Sequence, residues 1–310
     1  MNSVTLVLKP NQIQEMQFFY SQQLLEPVPY SIFRAKDKQV TITAYQSGKV
    51  LFQGKQAQEV ASLWQEKFDS HHPHSQKQVK PTENLNKLDR LNIVGSDEVG
   101  NGSYFGALTV CSVYLSTQQI PRMIDLGVKD SKLLTDSRII SLATQIKQEI
   151  KYSLTICNPI DYNQLIGPYN AVSLKVHLHN KTINQLLKQL NSQELSSLDG
   201  ILIDQFTNPN NYYKYLASEI NPIQKQLIFH QRAESEHLSV ACASIIARAA
   251  FLQSLNDLGK DYQVSLPSGA GHQVDQIAKD LVKQFGPTIL ENTAKLHFKN
   301  TTKILGSLPS

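Results

Sequence analysis

Residues 91–102 read LNIVGSDEVGNG: a short apolar run ends in two adjacent carboxylates, Asp97 and Glu98, and a glycine-rich stretch follows. The apolar run predicts a buried strand. An acidic pair at the end of a buried strand is costly unless a cation lies against it, and carboxylate oxygens suit Mg²⁺ or Mn²⁺. A single Asp-Glu pair is more often a solvated turn, so the metal interpretation depends on the rest of the chain.

A second apolar run also ends in a carboxylate. Residues 200–206 read GILIDQF, with Asp204 at the end of the predicted strand. Ligands of α/β sheets gather beyond the carboxyl ends of the strands, so Asp204 should share a rim with Asp97, and Asp199 should lie at the opposite end. Taken alone, Asp204 is equally typical of a turn that ends a strand.

A third acidic segment precedes the most alanine-rich part of the chain. Residues 232–237 read RAESEH, and a helical run follows at 238–258. Glu234 is the candidate for a further metal ligand, and Glu236 is the competing acid in the same place. Either glutamate could instead complement the dipole at the start of the helix.

The patterning of the 310 residues predicts two domains of unequal size. Residues 1–68 follow a β-α-β-β-β-α order, residues 69–88 have the polar composition of a linker, and strand-like and helical runs alternate over residues 89–310. The last pattern predicts an α/β domain around a largely buried sheet. Residues 1–80 hold nine Lys and Arg against six Asp and Glu, so most of the net charge of +4 lies in the small domain.

One turn of the small domain combines aromatic and basic residues. Tyr45 and Phe52 flank the turn Ser47-Gly48-Lys49. Together with the positive charge, this favours a platform that binds nucleic acid, with Tyr45 and Lys49 as contacts. The alternative is that both aromatic side chains belong to the core and that the lysine is solvated.

Composition limits the cellular setting. The chain is 41% hydrophobic and 18% charged, and no apolar run approaches the roughly 18 residues that cross a membrane. Three cysteines, Cys111, Cys157 and Cys242, lie in apolar segments, which predicts buried thiols in a reducing compartment. We therefore expect a cytoplasmic protein with no membrane partner. Because nothing resembles a dimer seam, we also expect a monomer without a protein partner.

Four motifs in order resemble those of the type 2 ribonucleases H over residues 89–300. They are Asp97-Glu98-Val99-Gly100-x-Gly102, Asp130-Ser131-Lys132, Ile203-Asp204, and an acid followed by Ala243-Ser244-Ile245-Ile246-Ala247. Within that family the chain is similar to the HIII enzymes, whose N-terminal extension is similar to half of a TATA-binding protein. Asn101 and Ala270 stand where HII enzymes have Arg and Tyr, and Glu234 stands where they have Asp. Leu133 departs from the family, which often has a second Lys there.

The resemblance implies a ribonuclease H-like mixed-sheet catalytic domain with a small N-terminal α+β domain. It implies that the RNA strand of RNA/DNA hybrids is hydrolysed, leaving 5′-phosphate and 3′-hydroxyl ends. Two Mg²⁺ or Mn²⁺ ions, about 3.5–4 Å apart, would clamp the attacking water and the leaving oxygen. The catalytic and metal-binding carboxylates implied are Asp97, Glu98, Asp204 and Glu234. The RNA-strand and phosphate contacts implied are Gly100, Asn101, Gly102, Ser131 and Lys132.

Three other functions compete with this interpretation. A dinucleotide-binding glycine loop must open a helix, but the residues after Gly102 are typical of a strand. A non-catalytic nucleic-acid-binding protein of the same fold would be expected to lack one of the four acids. An HII-like enzyme that cuts at single embedded ribonucleotides remains the main alternative. Because Asn101 and Ala270 lack the groups that such enzymes use there, we expect poor cleavage at single ribonucleotides.

Overall fold

The computed structural model describes residues 3–8, 10–20, 23–26, 28–37, 40–69, 87–128 and 134–306. The chain divides into two compact units, Met1–Pro81 and Thr82–Ser310. Nearly all of the linker predicted at 69–88 lies outside the described residues, as do Ser131 and Lys132.

The small unit is a four-stranded antiparallel sheet with two helices on one face. The elements are β1 Ser3–Val7, α1 Pro10–Phe19, β2 Ser31–Asp37, β3 Val40–Tyr45, β4 Lys49–Gly54 and α2 Ala57–Asp69. This β-α-β-β-β-α order matches the sequence pattern, and the strands lie in the order β1-β4-β3-β2. The core between sheet and helices includes Met16, Ile42, Phe52 and Trp64. The indole N–H of Trp64 forms a hydrogen bond within this core, because Nε1 donates to the Tyr20 hydroxyl at 2.7 Å.

The large unit is built on a mixed five-stranded sheet, as the resemblance implies. Its strands are β5 Ile93–Val99, β6 Leu108–Leu115, β7 Tyr152–Cys157, β8 Gly200–Asp204 and β9 Leu227–His230. They lie in the order β7-β6-β5-β8-β9, with β7, β6 and β5 antiparallel and β5, β8 and β9 parallel. Every residue of β6 is buried, because helices cover both faces of the sheet.

Two long helices define the two faces of this sheet. The helices of the unit are α3 Ile120–Asp125, α4 Asp136–Glu149, α5 Pro159–Leu165, α6 Ala171–Leu187, α7 Ser192–Ser196, α8 Pro209–Leu216, α9 Leu238–Asp261, α10 His272–Phe285, α11 Ile289–Thr293 and α12 Lys299–Leu305. With α4, α9 packs against the side chains of Cys111 and Val113. On the other face, α6 packs against Val94, Val110 and Tyr114. Successive side chains of a strand therefore meet different helices.

The helix α9 approaches the sheet unusually closely. A Cβ atom built on Gly95 would lie 2.4 Å from both Ser239 Oγ and the Val240 backbone nitrogen, so only glycine fits there. Small residues along the helix, including Ala243 and Ala247, keep the same short spacing further along. The His237 side chain caps the helix, because its Nδ1 accepts a hydrogen bond from the Ser239 backbone N–H at 3.0 Å.

The apolar composition of α9 bears on one expectation from the sequence. Among the residues that the structure describes, Leu238–Asp261 is long and apolar enough to cross a membrane, although no such run was expected. Of its most apolar window, 67% is buried inside the unit, where the helix packs on β5, β6 and α4. The apolar composition is therefore explained by its position as the central helix of this core.

Candidate active site

The carboxyl ends of two parallel strands bring the first two acids to one rim of the sheet. Ser96 of β5 lies opposite Ile203 of β8, so Asp97 and Asp204 follow side by side. Asp199 lies at the other end, where its Oδ2 accepts a hydrogen bond from the Asn92 backbone N–H at 2.8 Å. These positions are the ones expected from the sequence pattern.

Asp97 lies in an electrostatic environment that disfavours its ionised form. The residue is 7% exposed, and Oδ1 accepts a hydrogen bond from the Glu98 backbone N–H at 2.8 Å. Burial raises the pKa of Asp97 well above its ordinary value, and the charges of Glu98 and Asp204 raise it further. The hydrogen bond from Ser244 offsets only part of this shift. A cation beside Asp97 would remove the cost of ionising it.

Glu234 reaches the same place from a turn between β9 and α9. It lies in a short 3₁₀ helix, Ala233–Ser235, which begins after Arg232 in the left-handed conformation (φ 58°). The carboxylate of Asp204 holds this turn, because its Oδ1 accepts from the Ala233 backbone N–H at 2.9 Å. Glu234 is buried, and its Oε2 accepts a hydrogen bond from Ser244 Oγ at 3.4 Å. Ser244 thus contacts both Asp97 and Glu234, whereas Glu236 is less buried.

Glu98 points to the opposite face of the sheet, toward α6. Its Oε1 accepts from Lys175 Nζ at 2.9 Å, and its Oε2 lies 3.1 Å from His179 Nε2. Burial alone would raise the pKa of Glu98, but the hydrogen bonds and charges of His179 and Lys175 hold it below the ordinary value. The two neighbouring carboxylates therefore have opposite electrostatic character: the pKa of Asp97 is raised, and that of Glu98 is lowered.

A buried polar network fixes the two partners of Glu98. His179 is fully buried, and its Nδ1 lies 2.7 Å from Ser96 Oγ, which in turn lies 2.9 Å from Ser112 Oγ. The Phe206 ring stacks on His179 and lies 3.9 Å from Lys175 Nζ. Sequence reasoning missed Lys175 and His179. The one indication in the sequence was their spacing of four residues, which places two polar side chains on one face of a helix.

The donor chemistry of the rim suits divalent metal ions. Among the described residues, no three His, Cys, Asp or Glu side chains converge closely enough to hold an ion as they stand. The reason is visible at Glu98, whose carboxylate oxygens contact Lys175 and His179. The four acids are nevertheless linked, through Ser244 and through the charge of Asp204 on Asp97. Crowded carboxylates of this kind fit Mg²⁺ or Mn²⁺.

The glycine-rich stretch forms a tight loop between β5 and β6. Gly100 has a φ of 98°, and a Cβ there would lie 2.2 Å from the Ala107 carbonyl oxygen. Asn101 and Gly102 are exposed, and nothing lies within 4 Å of where a Cβ of Gly102 would be. A strand follows the loop, which excludes a dinucleotide-binding turn. The loop can therefore present backbone groups to a ligand at close range.

In the small unit, the predicted contacts lie on one face of the sheet. Thr43 pairs with both Leu51 and Arg34, so Tyr45 and Lys49 share their face with Arg34 and Lys36. This face points away from the core that packs on α1 and α2. Lys36 and Lys49 are exposed there, and Tyr45 is half-buried.

For Phe52 the alternative of a core side chain is confirmed. Phe52 is fully buried in the core of the small unit, on the opposite face of the sheet from Lys49. Lys49 and Phe52 are separated by three positions along a strand, and an odd separation places side chains on opposite faces. Phe52 therefore stabilises the platform but does not belong to its surface.

Comparison with known proteins gives concordant results for both units. A family model described as ribonuclease HII matches residues 94–301, and one described as a domain of unknown function matches residues 3–78. The chain is 45% identical to ribonuclease HIII of Enterococcus faecalis and 40% identical to that of Bacillus mycoides, in each case over 97% of both chains. A crystal structure of Bst-RNase HIII in complex with Mn²⁺ is 32% identical and covers 98% of both chains with a TM-score of 0.67. Ribonuclease H2 of Pyrococcus horikoshii, 21% identical, shares the fold over 69% of this chain and 97% of its own, with a TM-score of 0.57.

The buried pair of Lys175 and Glu98 should contribute strongly to stability. We expect Lys175→Met to lower the free energy of unfolding by about 3 kcal/mol, because it leaves a buried carboxylate without its ammonium partner. Adding Glu98→Gln to that variant should recover part of the loss, since the buried charge is then removed as well. Urea denaturation at pH 7 with a chelator present measures both effects.

Lys151 provides the matched control for this experiment. It forms a pair with Glu194 at 2.6 Å, but the two side chains are 40% and 23% exposed. Lys151→Met should therefore cost no more than about 1 kcal/mol. Equal losses for the two lysine variants would contradict the assigned role of the buried pair.

Proposed function

The chain belongs to the ribonuclease HIII family, and from that premise we propose that Asp97, Glu98, Asp204 and Glu234 are its catalytic, metal-binding carboxylates. The protein is a metal-dependent endoribonuclease that hydrolyses the RNA strand of RNA/DNA hybrids, leaving 5′-phosphate and 3′-hydroxyl ends. The observation that carries the residue assignment is geometric: Ser96 lies opposite Ile203, so Asp97 and Asp204 share one rim, and Ser244 beside them lies 3.4 Å from the buried carboxylate of Glu234. The raised pKa of Asp97, caused by burial together with the charges of Glu98 and Asp204, agrees with this crowding. Such crowding is characteristic of carboxylates that share cations.

The metal requirement agrees with the donor set. The related Bst-RNase HIII has been crystallised with Mn²⁺, and the four carboxylates of this chain offer the hard oxygen ligands that Mg²⁺ and Mn²⁺ prefer. When bound, two ions supply charge stabilisation for the attacking water and for the leaving 3′ oxygen of the phosphodiester.

The residues around the acids hold them in place for this chemistry. The Ser244 hydroxyl lies between the carboxylates of Glu234 and Asp97 and can donate to either, so it ties α9 to the end of β5. Asp204 supports the turn that carries Glu234 through its bond to the Ala233 N–H. Lys175 and His179 orient the carboxylate of Glu98 on the other face. Preorganised ligands of this kind lower the cost of assembling the transition state.

We also propose that substrate recognition is divided between the two units. Gly100, Asn101 and Gly102 contact the RNA strand, where small residues let backbone groups approach the 2′-hydroxyls. Ser131 and Lys132 remain proposed phosphate contacts. The domain of residues 1–68, joined by a linker at 69–88 to the catalytic domain at 89–310, binds the hybrid through Tyr45 and Lys49. Support comes from the basic face of its sheet, which also carries Arg34 and Lys36.

A cytoplasmic, monomeric enzyme remains our proposal for the cellular state. The reducing compartment is supported by the three cysteines, Cys111, Cys157 and Cys242, which are free and buried. Free thiols are typical of proteins in a reducing compartment.

Neutralising one acid should remove hydrolysis without removing hybrid binding. We expect Asp97→Asn to lower turnover at least about 100-fold, because charge stabilisation of the reacting phosphate is lost. Hybrid affinity, measured by fluorescence anisotropy with EDTA present, should change little, since the proposed contacts with nucleic acid lie elsewhere. Asp199→Asn, at the opposite end of β8, is the matched control and should retain normal turnover. Near-normal turnover of Asp97→Asn would refute the assignment.

The basic face of the small unit should contribute electrostatically. If Lys49 contacts a phosphate, Lys49→Gln should weaken hybrid binding and reduce the slope of log affinity against log salt by about 0.9. Lys55→Gln removes the same charge from the turn after β4, away from the strands of that face, and should leave the slope unchanged. Binding titrations between 50 and 200 mM salt, roughly the range where such effects are large, test both variants. Identical slopes for the two variants would exclude this platform.

The loops should favour several consecutive ribonucleotides over one. Asn101 and Ala270 are both exposed on neighbouring loops. Neither side chain has a guanidinium group or an aromatic ring that could contact the junction between a single ribonucleotide and the following deoxyribonucleotide. We expect cleavage of a duplex with four ribonucleotides to exceed that of a duplex with one by at least about tenfold, because each additional 2′-hydroxyl can be bound. Single-turnover rates on matched duplexes measure the ratio. Equal rates would favour the HII-like specificity instead.

A further inference from the structure

A buried lysine distant in sequence from the four acids donates to backbone carbonyls. Lys295 lies between α11 and α12 and is fully buried. Within the described part of the chain, no Asp or Glu oxygen lies within ion-pair distance of it, and its Nζ donates instead to the carbonyl oxygens of Ser103 at 2.8 Å and Gly106 at 2.6 Å. Burial lowers the pKa of Lys295 to about 7. A buried ammonium without a counter-ion is expensive, so its bonds must serve a definite purpose.

The two carbonyls belong to the second half of the glycine-rich loop. Gly106 has a φ of 80°, and the chain turns there before it enters β6. The backbone around Lys295 holds the same segment, because the Lys295 N–H donates to the Tyr104 carbonyl at 2.8 Å and the Gly106 N–H donates to the Thr293 carbonyl at 3.1 Å. The first half is joined to it directly, since the Ser103 N–H donates to the Gly100 carbonyl at 3.1 Å. The ammonium thus supports the loop from its buried side.

The same segment carries a second glycine loop. The Gly269 N–H donates to Ser103 Oγ at 3.1 Å, and the Tyr104 N–H donates to the Gly269 carbonyl at 2.9 Å. Ser103 therefore holds Gly269 with its hydroxyl while its carbonyl is held by Lys295. Asn101 and Ala270, the residues that distinguish the two loops from their HII counterparts, lie on this shared frame.

Packing alone does not explain a lysine at this position. The nearest aromatic ring to Nζ, that of Tyr162, has its centroid 5.8 Å away, at the limit of a cation–π contact. A methionine would fill a similar volume, but it could not donate to two carbonyls at once. The amino group is therefore required by the loop backbone, and what it fixes is the conformation of residues 100–106.

We propose that Lys295 is a positioning residue for recognition of the RNA strand, acting through Ser103 and Gly106 on the loop that presents Gly100 and Gly102. This inference rests on the proposed function of that loop. Loss of the ammonium lets the loop depart from the conformation that accepts a 2′-hydroxyl-bearing strand. Hydrolysis by the four acids is not directly altered, because none of them contacts Lys295.

The test separates binding from turnover. With saturating Mg²⁺, Lys295→Met should raise KM for an RNA/DNA hybrid about tenfold and change kcat by less than about threefold, because misplacement of a binding loop costs affinity. The affinity ratio between the hybrid and a DNA duplex of the same sequence, measured with EDTA present, should fall by a similar factor. Lys283→Met removes an exposed lysine of α10 and is the control, with unchanged KM and affinity ratio. A folded Lys295→Met variant with an unchanged KM and affinity ratio would overturn the proposal.

Two further variants keep the test decisive. Ser103→Ala removes the hydroxyl that accepts a hydrogen bond from Gly269, and it should also lower the ratio of hybrid affinity to DNA-duplex affinity. This variant replaces Lys295→Met if Lys295→Met does not fold. An unchanged affinity ratio would then overturn the proposal. Gly102→Val places a branched side chain in open space at the loop surface. If Gly102→Val weakens hybrid binding and Lys295→Met does not, the loop binds RNA and the role of Lys295 is wrong. If neither variant weakens hybrid binding, the proposed function of the loop fails with it.

Discussion

The close contact between α9 and β5 is the constraint on which the active site depends. At Gly95 the helix backbone lies so near the strand that a single Cβ would meet Ser239 and Val240 at 2.4 Å. This spacing brings Ser244, two helical turns from the cap at His237, to the end of β5, where it bonds Asp97 and Glu234. A larger residue at Gly95 would move the whole helix away from the strand, because helix and sheet pack as rigid bodies.

Strand geometry explains why the two adjacent acids behave differently. Side chains alternate between faces, so Asp97 meets α9 while Glu98 meets α6. The α9 face offers Asp97 a hydroxyl but also the charge of Asp204, whereas the α6 face offers Glu98 an ammonium and an imidazole. As a result, Asp97 is costly to ionise, whereas the neighbouring Glu98 is stabilised in its ionised form by Lys175 and His179. Divalent cations would relieve the first without being needed to stabilise the second.

Local sequence pattern and general sheet topology were sufficient to predict part of the site. The shared rim of Asp97 and Asp204 could be predicted because two apolar runs each end in an acid, and parallel neighbours place such ends on one rim. Lys175, His179 and Lys295 were not found, since each acts through a partner 77 or more positions away in the chain, and no local period marks such contacts. The position of Phe52 stayed open for a simpler reason: a turn flanked by aromatic residues does not reveal which face each one occupies.

The proposed catalytic and recognition elements are held in place by different kinds of bond. The acids are positioned by side-chain contacts from strands and helices, which pack tightly and leave little freedom. The glycine loops have few side chains to pack, so their conformation must be fixed through backbone carbonyl and amide groups. That requirement accounts for a buried ammonium and a buried serine hydroxyl beneath residues 100–106 and 269. An exposed loop with few side chains to pack can be rigid only if groups on its buried side hold its backbone: Lys295 donates to two of its carbonyls, and the hydroxyl of Ser103 accepts from the Gly269 N–H.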